Sequence, residues 1–408
     1  MRIFHTSDWH LGRQTCGLSR RRDHELVLEE ILGHCRDFKP HLILHSGDLF
    51  ENSRPAVEDM RLAQETLAQM SELAPTVVIA GNHDSAALFD LFEALVGKAR
   101  RLSFVGSVRR PDQGGVMEFA GESGEIARVG LLPFVHANRV VDALEIGPDA
   151  RTMEYADRIA RIEQALGQAM ARGYHPNRHI LLFCAHLHVG DSKVSRSERP
   201  LHVSETYATR ATHIPDVSYA AFGHIHKPQA LPGGVPGRYA GSPLQLDFGE
   251  EGEVKQVVLI EAKPGRSAKI TPIDLKSGRQ LISLHGSQAS LAERAAEVGD
   301  ALLKVTVETD EPTPGLADWA TQTFARATVV EVHERCAKTA LPLADELPPL
   351  SHEFEDLATA FRSYLEEHLP EDQSGETVYS VFCQARLDGS SEELRVPEAI
   401  LKLEELVS

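Results

Sequence analysis

The stretch IAGNHDS, residues 79–85, decides how this chain is read. It closes the apolar run 77–80, which reads as a buried strand, with a glycine and a set of polar side chains. Asn82 beside His83 is a poor pair to bury in a core, so this strand end points to chemistry. The same arrangement recurs along the chain. Ser7-Asp8-Trp9-His10 follows an apolar run at 2–6, and Gly47-Asp48 follows one at 42–45. His186 follows the run 179–185, and Gly223-His224-Ile225-His226 follows 219–222. A further run lies at 129–134. Between these runs, apolar residues recur at helical spacing: Leu28, Ile31, Leu32 and Cys35; Ala63, Leu67, Met70 and Ala74; Ile159, Ile162, Leu166 and Ala169. Alternating strands and helices predict an α/β layered domain, with the runs 256–261 and 270–275 as extra strands closing it.

In open α/β sheets, ligands sit beyond the carboxyl ends of the strands. Five strand ends would then deliver Asp8, His10, Asp48, Asn82, His186, His224 and His226 to one rim. That set offers nitrogen and oxygen ligands and no thiolate, which suits Mn²⁺, Fe²⁺ or Zn²⁺ in a two-metal site. Asp48 is the natural bridge, since a carboxylate can hold one ion on each oxygen. A metal pair clamps the attacking and leaving oxygens of a phosphoryl displacement and lowers the pKa of bound water. Gly47, Gly81 and Gly223 would let the backbone turn sharply at the strand ends. Each motif alone is common. Five coincidences, each at a strand end, are not. The segment Cys184-Ala185-His186-Leu187-His188 offers two histidines; His186 directly follows the strand, and His188 remains the alternative. His5, His45, His175 and His202 read as structural or solvated, and the Trp9 ring as packing beneath the site.

These residues resemble the calcineurin-like metallophosphoesterase superfamily. The flanking text HTSDWHLGR (5–13), HSGDLFENSRP (45–55), IAGNHDS (79–85), FGHIHKPQ (222–229) and YAGSPLQLDFGE (239–250) is similar to its SbcD-type nuclease subunits. The resemblance covers about residues 1–260 motif by motif, and rests on architecture beyond that. It implies a layered β-sandwich flanked by helices, with a small α+β capping domain and a C-terminal helical tail. It implies that Asp8, His10 and His226 hold one metal and Asn82, His186 and His224 the other, with Asp48 bridging and Mn²⁺ as the ion. His83 would contact the scissile phosphate and protonate the leaving oxygen, a role that suits histidine near neutral pH. Asp84 would orient a neighbouring group, or else serve as the acid at a helix start. The resemblance further implies a double-strand 3′–5′ exonuclease and single-strand endonuclease. Its partners would be DNA and an SbcC-type coiled-coil ATPase, in a heterotetramer containing a homodimer of this chain.

Composition limits the other readings. The 408 residues suggest two to four domains. No apolar run reaches membrane-spanning length, and the N-terminus does not read as a signal peptide. Five scattered cysteines without a C-x-x-C pair argue for reduced thiols and a cytoplasmic, nucleoid-associated protein. The net charge of −18 counts against a self-sufficient nucleic-acid binder, but metal ions or a basic partner can supply positive charge locally. The 20 histidines are the unusual number. Arg13, Arg20, Arg21 and Arg22 would touch DNA phosphate, or else form a solvated helix start paired with Asp23 and Glu25.

The expected organisation is a nuclease domain at 1–278, a capping unit at 279–338, and a linker with partner-binding helices at 339–408. Within the capping unit, 302–307 and 328–333 read as strands and 316–325 as a helix. Prolines 342, 348 and 349 punctuate the linker. Phe354, Leu357, Phe361, Tyr364 and Leu365 form an apolar stripe suited to a partner groove or to the chain's own body. No Walker-type phosphate loop is present, so ATP would act through the partner. Two other readings stay open: a phosphoesterase acting on a small phosphodiester or nucleotide, and a non-catalytic scaffold of a DNA-repair complex. The extra C-terminal regions argue against the first, and the full ligand set against the second.

Overall fold

The structure is a computed structural model, and it describes residues 1–97, 101–136, 155–195 and 208–338. The expected linker and C-terminal helices lie outside the described residues. The chain opens with β1 (Arg2–Thr6), a small hairpin of β2 (Gln14–Thr15) and β3 (Leu18–Ser19), then α1 (Arg21–Phe38) and β4 (Leu42–His45). It continues through α2 (Val57–Leu73), β5 (Thr76–Ile79), α3 (Ala86–Phe92) and β6 (Leu102–Val105). Next come β7 (Val116–Ala120), β8 (Ile126–Leu132), α4 (Tyr155–Ala171), β9 (His179–His186), β10 (His188–Val189) and β11 (Ala208–Thr209). Strands β12 (Tyr219–Gly223), β13 (Gln229–Ala230), β14 (Gly237–Tyr239), β15 (Gln256–Glu261) and β16 (Lys269–Asp274) follow. The last described part is β17 (Leu281–Gly286), α5 (Gln288–Glu293), β18 (Leu302–Thr309), α6 (Leu316–Thr323) and β19 (Thr328–Cys336).

Two six-stranded sheets, β16-β15-β1-β4-β5-β6 and β13-β14-β12-β9-β8-β7, carry the fold. They pack face to face. Ile3, Leu42, Leu44, Val77 and Ile79 of the first sheet meet Val129, Leu131, Ile180, Leu182 and Ala221 of the second in one buried cluster. The intervening residues Phe4, Ile43 and Val78 point the other way, into a cluster with Val27, Leu28, Ile31 and Leu32 of α1 and Ala63, Leu67 and Met70 of α2. This is the period-two alternation of a strand meeting the helical spacing read from the sequence. On the far side, Ile159, Ile162, Leu166 and Met170 of α4 cover Phe183, Ala185 and Phe222. Met170 takes the position expected of Ala169. The result has four layers: helix, sheet, sheet, helix.

Register places the site. The parallel pairs β1–β4, β4–β5 and β9–β12 align Thr6 with His45, His45 with Val78 and His186 with Gly223. The carboxyl ends of β1, β4 and β5 therefore stop level with one another, as do those of β9 and β12. The motif-bearing turns follow directly.

Strands β17, β18 and β19 form a separate three-stranded parallel sheet with a core of its own, including Leu284, Leu303, Val305, Leu316 and Phe324. A buried ionic clasp ties it to α1. Asp23 accepts two hydrogen bonds from the Arg279 guanidinium and one from its backbone N–H, and pairs with Arg20 at 2.8 Å. Arg20 is fully buried and also donates to the carbonyls of Gln245 and Arg279. This corrects the expectation that Arg20 touches DNA: its charge is turned inward and consumed by the clasp.

Candidate metal centre

The strand-end turns converge on a buried cluster. Asp8, His10, Asp48 and His226 bring one ligand atom each within 4.8 Å of one another, and so do Asp48, His186 and His224. Asp48 belongs to both groups. Its Oδ2 lies 3.5 Å from His10 Nε2 and 3.3 Å from His186 Nε2, while Oδ1 accepts the His83 backbone N–H at 2.9 Å. Asn82 Oδ1 lies 3.0 Å from His186 Nε2 and 2.8 Å from His224 Nδ1, which completes the second group. Spacings near 3 Å are those of neighbouring ligands around one ion with bonds of about 2.1 Å.

The backbone is bent to make this possible. Asp8, His10, Asp48 and His224 all have positive φ, at 50°, 48°, 51° and 101°. Such conformations cost about 1–3 kcal/mol each in non-glycine residues and concentrate at functional sites. The glycines serve the site in two ways. Gly47 has φ of 104°, the turn expected of it. Gly81 and Gly223 are needed instead for close approach: a Cβ on Gly81 would lie 2.2 Å from Asp48 Oδ1, and one on Gly223 2.2 Å from the Ser46 carbonyl oxygen.

Hydrogen bonds fix the imidazoles. His10 Nδ1 lies 2.9 Å from Glu51 Oε2, His226 Nδ1 3.0 Å from Glu250 Oε1, and His186 Nδ1 2.8 Å from the Ser46 carbonyl. An Nδ1–H donated to a carbonyl or carboxylate leaves Nε2 with its lone pair, the form that binds metal. Burial pulls the His10 pKa down to about 4, the Glu51 hydrogen bond offsetting only part of the effect, so its ring is neutral. Burial would raise Glu51 and Glu250, yet both stay below the usual carboxylate range. His10 and Arg13 hold Glu51 at about 2, and Lys255 and His226 hold Glu250 well down.

The cluster lacks positive charge. Among the described residues, no lysine or arginine pairs with Asp8 or Asp48. Asp8 Oδ2 and His10 Nε2 are buried without a hydrogen-bond partner. Burial, with Asp48 nearby, pushes the Asp8 carboxyl up to about 6. Burial would lower His186, but the Asp48 charge raises it to about 9. Orphaned acceptors around two crowded carboxylates are the pattern a divalent cation satisfies. The donor set fits the implied metal pair.

A family model for calcineurin-like phosphoesterases matches residues 1–228. The SbcD subunit of the SbcCD nuclease of Bacillus subtilis (strain 168) is 31% identical over 287 residues, which cover 69% of this chain and 71% of that one. The corresponding SbcCD nuclease subunit of Escherichia coli (strain K12) is 26% identical over 332 residues, covering 76% and 79%. That of Staphylococcus epidermidis (strain ATCC 12228 / FDA PCI 1200) is 25% identical over 300 residues, covering 73% and 76%. The chain belongs to the SbcD family of calcineurin-like phosphoesterases.

As in the SbcD-type motif set, the expected ligands Asp8, His10, Asp48, Asn82, His186, His224 and His226 are all brought to one place. His188 is buried but joins neither group. His83 sits beside them, its ring edge-on to His10 with centroids 4.8 Å apart and its Nδ1 2.7 Å from the Glu51 carbonyl. Asp84 accepts from the backbone N–H groups of Gly81, Leu49 and Phe50, which pins the turn after β5 to the turn after β4. Trp9 is buried, donates to Thr6 Oγ1 and stands edge-on to His45. Arg13 pairs with Glu51 at 2.9 Å, so it supports His10 from behind. Arg21 and Arg22 are exposed and pair with Glu25.

Sequence reasoning missed Glu51 and Glu250, the two carboxylates that orient His10 and His226. It also missed Phe134, whose ring stacks on His224 at 5.9 Å with an interplanar angle of 22°. Glu51 lies three residues after Asp48, and a carboxylate so near a motif was the one available signal.

Proposed function

We propose that this chain is a metal-dependent DNA nuclease subunit that hydrolyses phosphodiester bonds. The observation that carries the reading is the double cluster sharing Asp48, with imidazoles pre-oriented by Glu51, Glu250 and Ser46. Asp8, His10 and His226 would hold one ion, Asn82, His186 and His224 the other, with Asp48 between them. Two such ions, Mn²⁺ in this proposal, polarise the phosphoryl oxygens and activate water.

The protein's own part is positional and protonic. Glu51, through its side chain and carbonyl, fixes both His10 and His83. With Nδ1–H given to that carbonyl, His83 exchanges a proton through Nε2, as a general acid for the leaving oxygen. The family names of the relatives support DNA as substrate and an SbcC-type ATPase as partner, in a heterotetramer with two copies of this chain. We assign it double-strand 3′–5′ exonuclease and single-strand endonuclease activity in end processing in the cytoplasm. Arg21 and Arg22 remain the candidate phosphate contacts. The net charge of −18 fits a division of labour in which the partner supplies much of the DNA grip. We also assign 1–278 to the nuclease domain, 279–338 to the capping unit and 339–408 to partner binding.

The test is Mn²⁺-dependent degradation of end-labelled linear duplex by the purified chain, beside Asp48→Ala and His83→Ala, with and without an SbcC-type ATPase. Cleavage that needs Mn²⁺ and both residues is expected, with stimulation by the partner. Turnover of a small phosphodiester without any DNA cleavage would redirect the reading to a phosphodiesterase.

A further inference from the structure

The capping unit and the metal centre share one short segment, 245–251. On its inner side, Glu250 is fully buried and accepts from His226 Nδ1. Its other oxygen takes Lys255 Nζ at 2.6 Å and the Leu246 backbone N–H at 3.1 Å. Lys255 Nζ also donates to the His226 carbonyl at 3.1 Å, so ligand, carboxylate and lysine form one closed ring of contacts. On its outer side, the same segment holds the first strand of the capping sheet. Gln245 Oε1 accepts the Leu281 backbone N–H, and Glu251 Oε1 that of Ser283, both at 2.8 Å. Lys304 of β18 lies over the Phe248 ring, 4.7 Å from its centroid, while also pairing with Glu331.

Phe248–Glu250 form a single tight turn. Phe248 and Glu251 flank Glu250 and face the cap, whereas Glu250 faces His226. A turn this short has few soft dihedrals, so a shift of its outer residues cannot leave the inner one in place.

We propose that segment 245–251 couples the capping unit to the metal centre: seating the cap on Gln245, Phe248 and Glu251 fixes Glu250, and through it His226. The proposal rests on the metal-dependent reading above. It makes Glu250 a positioning residue and gives Lys304, outside the metal centre, an effect on ion affinity. A carboxylate that orients a ligating histidine changes affinity by about 10- to 100-fold when lost. The cation over Phe248 contributes a smaller share, roughly two- to fivefold.

The experiment titrates the full chain with Mn²⁺ alone, by calorimetry and by electron paramagnetic resonance, with no DNA present. Glu250→Gln should weaken one of two ion affinities about tenfold or more. The double variant Lys304→Met with Glu251→Ala should weaken the same affinity by roughly threefold and leave the other unchanged. Lys304→Arg, which keeps the cation over the ring, should bind as wild type. A double variant that titrates as wild type would overturn the coupling, as would equal weakening of both ions together with a fall in melting temperature. A wild-type chain that binds no Mn²⁺ would instead overturn the metal reading itself.

Discussion

Glu163 of α4 carries a cost of its own. It is fully buried, and its Oε2 accepts from Thr209 while Oε1 has no partner. Burial pushes its pKa up to about 8, against 4.5 in the unfolded chain, and the Thr209 hydrogen bond only moderates that. The folded state therefore keeps a proton that the unfolded chain releases. Its stability is fully present below about pH 4.5 and declines as pH rises through about 8. Glu163→Gln should melt close to wild type at pH 5 and be more stable at pH 9, on the order of 2 kcal/mol. Thermal melts across that range check the sign, and equal pH profiles would refute it. Gly81 gives a steric prediction. A Cβ there would lie 2.2 Å from Asp48 Oδ1 and 2.4 Å from its backbone nitrogen, so relief requires moving the turn that carries Asp48. Gly81→Ala should lower cleavage at least about 100-fold, since small misplacements at a reacting centre cost that much. Mn²⁺ affinity, measured in parallel, should fall with it. The identities of the ligands were legible because each lies within a few residues of a strand end. Glu250 was not, because it reaches His226 across 24 residues and only through the folded turn.

At the level of elements, the motif-bearing strands were readable because apolar runs buried on both faces stand out. Strand β7 was not: in Val116–Ala120 every residue is at least partly exposed, so no apolar face marks it. Strand β17 was missed for a related reason, since only Leu281 and Leu284 of its six residues are buried. The arginine run 20–22 misled in the opposite direction. Charge at a helix start normally means solvent, and nothing local reveals that Arg279, 256 residues after Asp23, returns to meet it. The clasp it forms is itself testable. Burial would raise the Asp23 carboxyl, but the bonds from Arg279 and Arg20 hold it at about 2. Its contribution is present above the unfolded value of 3.8 and lost as pH falls through about 2. Asp23→Ala would strand the buried Arg20 guanidinium without a counter-charge, a loss of about 3–5 kcal/mol. The variant should also expose amides of β17 to hydrogen exchange before those of β1 and β4. If both sheets exchange together, the clasp does not hold the cap independently of the nuclease fold.

For the whole molecule, the metal centre sets stability against function. Two sheets deliver Asp8 and Asp48 to one buried point, and folding brings no lysine or arginine to either among the described residues. In the metal-free chain this crowding works against the fold: Asp8 Oδ2 is buried without a partner, and its carboxyl holds a proton to about pH 6. A cation binding only the folded state stabilises it by mass action, about 2.7 kcal/mol at 100 times its dissociation constant. Asp8→Asn removes one negative charge and keeps the oxygen that accepts the His224 backbone N–H. The metal-free variant should therefore melt above metal-free wild type at pH 8, where Asp8 is otherwise ionised. Adding Mn²⁺ should reverse the order, because wild type gains the full increment and the variant little. Paired melts with chelator and with Mn²⁺ decide the matter. If Asp8→Asn melts lower in both conditions, the carboxylate is structural and its orphaned oxygen does not await a cation. If it melts higher without metal and fails to respond to Mn²⁺, the charge deficit at the strand ends is what the fold preserves for its ions.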